Sequence, residues 1–355
     1  MDRSSQILTT KPEVVPTGLA LSAHIRRSDE PVEWQESMRN AVRSTQELRN
    51  LLGLPAPDAA TLAAESTFPT FVSREFLSRI ELQNPRDPLL LQVLSVPAEA
   101  DLRDGFIADP VGDTAATARP GLIQKYSRRA LVVATGVCGI HCRYCFRREF
   151  DYSEATVDGF EPILEELSQR PEIDEVILSG GDPLTLSDPK LARLVTALES
   201  IAHVKRLRIH SRMPIVIPSR VTEALIQLLR KSRFSCWMVI HCNHVNEIDG
   251  SVESAISKFL DHGIPVLNQA VLLRGVNDSF EALENLCRRL VDLRVQPYYL
   301  NQLDRVRGAA HFEVPESEGL ALIEKLRTVL PGYAVPRYVV EIAGQPSKSP
   351  VKQEP

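Results

Sequence analysis

From residue 129 onward the chain alternates short β-like runs with amphipathic helical runs, and this alternation limits the possible fold more than any other feature. "RALVVAT" (129–135) leads to "GFEPILEELSQR", "EVILSG" to "DPKLARLVTALESI", and "RLRIHS" to "SRVTEALIQLLRK". The series continues with "CWMVIHC" and "VESAISKFLDHG", "IPVLNQAVLL" and "FEALENLCRRLVDL", "VQPYYLNQL" and "ESEGLALIEKLRTVL", and ends on "AVPRYVVEI". Strands alternating with helices of this length build βαβ units on a parallel sheet. About six such units before a last strand predict an α/β fold, a barrel that is closed or partly open. Active sites in such folds form at the C-terminal ends of the strands. The chemically unusual residues all follow strands: three cysteines, "SGGDP" (179–183), "HSR" (210–212), "HCNH" (241–244) and "NQLDR" (301–305). They are expected to gather at one mouth.

The rest of the chain reads as an addition to that core. Residues 1–30 are polar and irregular and are expected to be flexible. Residues 31–115 form a helical N-terminal region, in which "EWQESMRNAVRSTQELRNLLGL" (33–54) predicts one or two short helices stopped by Gly53 and Pro55. Further helical pieces are expected near "FVSREFLSRIELQ" and "PLLLQVL". The barrel occupies 116–348 and a short tail 349–355. A formal net charge of −5 gives no electrostatic case for a nucleic acid or a membrane surface as partner. No apolar run approaches the ~18 residues of a membrane-spanning helix, and "MDRSSQILTTKPEVV" lacks the apolar stretch of a secretory signal. The default location is cytoplasmic.

A chain of 355 residues has no need of disulfide staples, so its six cysteines call for another account. Cys236, Cys242 and Cys287 sit in apolar surroundings and read as buried small hydrophobes. Cys138, Cys142 and Cys145 lie together in "GVCGIHCRYCFRR" (136–148). Thiolates select zinc or iron–sulfur clusters. Three of them can hold three irons of a [4Fe–4S] cluster and leave the fourth open. Spacing alone leaves a zinc site, completed by His141 or a distant histidine, equally open.

"CGIHCRYCFRR" after the first barrel strand resembles the cluster loop of the radical SAM superfamily, and "SGGDPL" stands where that superfamily has its glycine-rich stretch. "RIHSRMPIVIP", "HCNHVNEI", "LNQAVLLRGVND", "YYL", "GAAHF" and "VPRYVVEIAGQPSKSP" extend the resemblance, in order, to the lysine 2,3-aminomutase family. It spans roughly residues 70–350. It implies a partial (β/α)6 barrel, an open-iron cluster on Cys138, Cys142 and Cys145, and S-adenosylmethionine chelating the open iron. It also implies pyridoxal 5′-phosphate attached to Lys348.

Other roles follow residue by residue from the same resemblance. Ser179, Gly180, Gly181, Asp182, His241 and Gln269 match contacts to S-adenosylmethionine, and Arg129 matches a contact to pyridoxal phosphate, with Arg212 assisting. Arg147 matches the arginine that grips the substrate carboxylate, as a guanidinium fork is suited to do. Asp304 and Glu341 match two carboxylates beside the substrate ε-ammonium, which favours L-lysine. Position 341 departs from free-lysine enzymes, which usually have Asp there. The cofactors would carry the difficult chemistry, a nitrogen shift from Cα to Cβ, and the protein would supply position and charge. The implied partners are a reductant such as flavodoxin or ferredoxin, a separate lysine ligase, and elongation factor P. That last expectation rests on the short tail after Lys348 and the "YCFRR" loop. Two other readings stay open: an aminomutase making free β-lysine for other uses, and a non-catalytic iron–sulfur or zinc module.

Overall fold

The computed structural model describes residues 34–155 and 159–352. The flexible segment expected over 1–30 lies outside the described residues, as do the last three residues of the tail. Ten strands form one sheet in simple chain order: β1 (Thr117–Arg119), β2 (Leu122–Tyr126), β3 (Arg129–Thr135), β4 (Glu175–Gly180), β5 (Arg206–Ser211), β6 (Ser235–His241), β7 (Val266–Val271), β8 (Gln296–Asn301), β9 (Arg337–Val340) and β10 (Ser349–Pro350). Every neighbouring pair from β3 to β9 is parallel. This is the expected barrel of six βα units and a last strand, with β1 and β10 as its two edges.

The sequence reading did not anticipate three strands. β1 and β2 form an antiparallel hairpin on β3, turning at Pro120–Gly121, where Gly121 has φ +81°. β10 runs back antiparallel to β9, pairing Ser349 with Val340 and Pro350 with Val339. Val351 is buried among Leu322, Ile323 and Tyr338. The chain beyond Lys348 is therefore a paired strand followed by a packed anchor.

Strand periodicity explains how the barrel makes room for a site. One parity packs against the helices: Val176 and Leu178 on β4, Leu207 and Ile209 on β5, Met238 and Ile240 on β6. The other parity faces a central cavity, with Ile177 and Ser179, Arg208 and His210, Gln269 and Val271, and Tyr299 and Asn301 in its wall. A parallel sheet packed on both faces reads as continuous apolar runs. Here the inward positions are interrupted by polar residues, so the interior is ligand space.

The N-terminal region is helical but more broken than expected. "EWQESMRNAVRSTQELRNLLGL" makes two helices, Trp34–Arg39 and Thr45–Leu51, while the next two expected pieces shrink to single turns at Arg74–Leu77 and Pro88–Leu91. Each start after the first is set by a side-chain cap: Ser44, Asp58, Ser73 and Asp87 accept first-turn N–H groups. The Asp58 cap belongs to Ala59–Thr67, a helix not foreseen. Trp34, Leu48, Phe76 and Leu89 pack into the same apolar core as Ile215 and Ile217 of the loop after β5. At ~1.5–3 kcal/mol per fully buried large side chain, this packing is what holds the cap on the barrel. No described helix is long and apolar enough to cross a membrane.

Candidate active site

The cavity, about 480 Å³, has the three cysteines in its wall and lies within the ~300–1,000 Å³ usual for small-molecule sites. The loop after β3 is pinned to its surroundings by backbone bonds. His141 N–H donates to Phe71 O at 2.9 Å, and Arg143 N–H to Gln92 O at 2.9 Å. Arg143 is buried against Glu99, with Nε 2.8 Å from Oε1. On the other side, Gly181 N–H donates to Thr135 O and Asp182 N–H to Val137 O, each at 2.7 Å. A Cβ at Gly180 would stand 2.6 Å from Thr135 O, and one at Gly181 would stand 2.4 Å from Val137 O. Gly180 also has φ +120°. Only glycines let β4 end this close to the cysteine loop.

His141 is oriented by two contacts of its ring. The Nδ1 of His141 faces Pro69 O at 2.7 Å, and its ring stacks on Phe68 with centroids 5.1 Å apart. Among the described residues no three His, Cys, Asp or Glu side chains are placed to hold a single metal ion. A cluster asks something different, one thiolate per iron. Burial, reinforced by the neighbouring thiols, pushes Cys138 well up and Cys145 to about 11. These thiols therefore deprotonate only against added positive charge, which bound iron supplies.

Arg212 and Asp182 are placed differently from the sequence expectation. Arg212 Nη1 donates to Cys142 Sγ at 2.8 Å, and its Nη2 donates to Gln92 Oε1 at 2.6 Å and Glu247 Oε2 at 2.9 Å. The guanidinium thus serves the cysteine loop and is not free for a phosphate. Burial pushes Glu247 up, but Arg212 and the hydrogen bonds around it hold its carboxyl below the usual range. The Asp182 carboxylate accepts from Ser211 Oγ and from the N–H groups of Leu184, Arg212 and Met213. It ties the loops after β4 and β5 together, leaving the backbone of this stretch to meet a ligand. Burial pushes it up to about 6.

A chain of alternating charges runs from the cysteine loop to the far end of the cavity. Arg147 Nε lies 2.6 Å from Asp113 Oδ2, Lys125 Nζ lies 2.7 Å from Asp113 Oδ1, and Lys348 Nζ lies 3.1 Å from Glu341 Oε2. Lys125 is also 3.9 Å from Glu341 Oε1. Arg147 turns an Nη1 toward Ser179 Oγ at 3.3 Å, so one edge of the fork still faces the cavity. Tyr126 donates to Glu341, and Lys348 also donates to Asn301 Oδ1 at 3.1 Å. Asp304 is different. Half-buried in the same wall, its carboxylate has no hydrogen bond or ion pair among the described residues. Burial pushes it up to about 6, with Lys348 pulling the other way. Arg129 lies over the Tyr126 ring at 4.1 Å and has no acid partner among the described residues.

The remaining expected residues also line this cavity. His241 Nε2 is 3.4 Å from Tyr144 Oη, and burial holds the ring neutral, with its pKa lowered to about 4. Gln269 Nε2 is 3.5 Å from His210 Nδ1. Cys236, Cys242 and Cys287 are buried elsewhere in the core, as expected. Sequence reasoning missed Asp113, Lys125 and Tyr126, and it placed His210 at the mouth within "HSR" without giving it a role. The "RPG" turn before "LIQKY" was a usable hairpin signal for two of them.

Residues 132–287 match the Radical SAM superfamily. The chain is 44% identical over 335 residues to L-lysine 2,3-aminomutase of Escherichia coli (strain K12), covering 93% of this chain and 98% of that one. It is 41% identical to L-lysine 2,3-aminomutase of Haemophilus influenzae, covering 90% and 96%. With L-lysine 2,3-aminomutase of Clostridium subterminale the identity is 34%, covering 90% and 77%. Among solved structures, a radical SAM methyltransferase from Sphaerobacter thermophilus aligns at TM-score 0.39 and 17% identity, over 61% of this chain and 68% of that one.

Proposed function

The chain belongs to the L-lysine 2,3-aminomutase family of radical SAM enzymes, and from that premise we propose that it converts L-lysine to (R)-β-lysine with a [4Fe–4S] cluster, S-adenosylmethionine and pyridoxal phosphate. The observation that carries the substrate is the unpartnered Asp304 carboxylate facing the cavity beside Glu341. A buried acid without a donor is costly unless a cation arrives. The substrate ε-ammonium is that cation, and Arg147 at the cysteine end takes the carboxylate. Asp113 holds Arg147 by its Nε edge and so aims the free edge into the cavity.

When bound, the cluster and S-adenosylmethionine supply a 5′-deoxyadenosyl radical, and pyridoxal phosphate supplies the π-system across which nitrogen moves. Cys138, Cys142 and Cys145 would hold the cluster. The backbone of Gly180 and Gly181 would receive S-adenosylmethionine, with Ser179, His241 and Gln269 beside it. Lys348, within reach of Asn301 and Glu341, would attach pyridoxal phosphate, and Arg129, free of acids, would meet its phosphate. Glu341 then exchanges the Lys348 ammonium for the substrate's. The longer Glu side chain at 341 reaches both Tyr126 and Lys348. For the fate of the product we propose attachment by a separate ligase to elongation factor P, supported by the resemblance of the "YCFRR" loop.

Anaerobic reconstitution with iron, sulfide, pyridoxal phosphate, S-adenosylmethionine and L-lysine is expected to yield β-lysine on amino-acid analysis. Lys348→Ala should lose the visible absorbance of bound pyridoxal phosphate while keeping its iron. A phosphopyridoxyl group trapped by borohydride on another lysine refutes that assignment. Deleting the gene and weighing elongation factor P checks the destination. An unchanged β-lysyl mass leaves only the free β-lysine reading.

A further inference from the structure

A second hollow, about 400 Å³, opens beside the main cavity and shares Gly136, Cys138 and His141 with it. Its other walls are Met38, Arg39, Arg43, Phe71 and Val137. The cysteine loop is thus a thin partition with a hollow on each side. Val137, immediately before Cys138, is 54% exposed, unusual for a large aliphatic side chain in a segment otherwise pinned to the core. Arg39 ends the helix Trp34–Arg39 and forms no ion pair among the described residues. Arg43 donates to Met38 O at 3.0 Å, lies over the Phe71 ring at 4.8 Å, and likewise meets no acid among them. Some exposed arginines have acids, as Arg74 with Glu47 and Arg274 with Glu318, and others, as Arg86, Arg193 and Arg337, have none among the described residues; Arg39 and Arg43 differ in standing together on one rim. On a chain with formal net charge −5, this rim is a local basic spot around an apolar centre.

The reaction needs one electron at the cluster, and the main cavity is committed to S-adenosylmethionine and substrate. We propose that the second hollow is the docking face for an acidic one-electron carrier protein, which delivers its electron through the Cys138 side of the loop. This rests on the cluster reading given above. The reduced carrier loses one electron and the cluster gains it, with no bond made or broken and no proton moved. An apolar centre with a charged rim suits a small, transient encounter, as weak redox pairs usually have. Arg39 and Arg43 would act mainly on the association rate and make it sensitive to salt.

The experiment is stopped-flow reduction of the reconstituted full chain, with reduced flavodoxin or with dithionite as donor, over a range of ionic strength. R39E/R43E is expected to slow reduction by flavodoxin by ~10-fold or more and to flatten its salt dependence. Reduction by dithionite should not change, and R39K/R43K should keep most of the flavodoxin rate. An unchanged flavodoxin rate in R39E/R43E overturns the proposal. So does an increase, which would mean that the arginines hold the chain's own first residues over this face. If the double variant loses iron, R39E alone decides by the same readings, since that side chain is exposed at a helix end. A wild-type chain that takes up no iron is a separate result and removes the cluster reading itself.

Discussion

At the cysteine end of the cavity the carboxylate of Asp182 accepts four hydrogen bonds, while at the far end that of Asp304 accepts none among the described residues. Burial pushes both to about 6. The shared value hides opposite designs. Around Asp182 the protein supplies its own donors, and Arg212 and Glu247 close a buried network against Cys142. A rigid cluster gains from a frame completed in advance. Around Asp304 charge is left unmatched, because a carboxylate already paired would have little to offer a substrate ammonium. Preorganisation thus means saturation at one end and deliberate incompleteness at the other.

The largest expected effect tests the saturated end. Cys138→Ala, Cys142→Ala and Cys145→Ala should each abolish iron binding after reconstitution, because an open-iron cluster has no thiolate to spare. Cys242→Ala, at a more deeply buried position, should keep its iron; iron analysis decides. Next, Glu247→Gln leaves Arg212 buried without its counter-charge and is expected to cost about 3–5 kcal/mol in urea unfolding. A loss below about 1 kcal/mol would show that hydrogen bonds to Gln92 and Cys142 suffice and that the network is not held by charge.

At the incomplete end, Asp304→Lys sets a cation against the substrate's own. It should lower kcat/KM for lysine by ~100-fold or more, about 2.7 kcal/mol in transition-state binding, while iron content stays unchanged. The smallest effect is in pH. Asp304 holds an ammonium only when ionised, and its raised value places the loss of ionisation near pH 6, so kcat/KM should fall as pH drops below about 6, by up to ~10-fold per unit. Asp182 titrates in the same region, so the wild-type profile alone does not separate the two. Asp304→Asn should remove the acid limb at reduced activity. A limb that survives in this variant belongs to Asp182 and the frame.

What was legible in the sequence follows the same division. The βα series and the cysteine–glycine pair are written in contiguous residues, because a loop and the strand beside it are local features. The far end is assembled from remote pieces: Asp113 before β1, Lys125 and Tyr126 on β2, Asp304 after β8, and Glu341 and Lys348 after β9. No short-range pattern announces that Lys125 will bridge Asp113 and Glu341. Resemblance supplied Asp304, Glu341 and Lys348, but carried Arg212 toward the phosphate, whereas its reach to Cys142 depends on tertiary packing. Helix lengths near 71–94 were overread because periodicity sees apolar spacing and not the single-turn stops.

Strand β10 has a consequence for the order in which the molecule can be made. Glu341 and Lys348 sit in the bend between β9 and β10, and that bend is closed only when Ser349 meets Val340 and Val351 enters the core. On the ribosome the cysteine loop, the glycine stretch and most of the barrel emerge long before those residues do. A nascent chain can therefore present a finished cysteine-loop frame while the bend that carries Glu341 and Lys348 is still open. A chain stalled or clipped just before residue 349 would still carry Glu341 and Lys348 but would lack the strand pairing and the Val351 anchor that close the bend holding them.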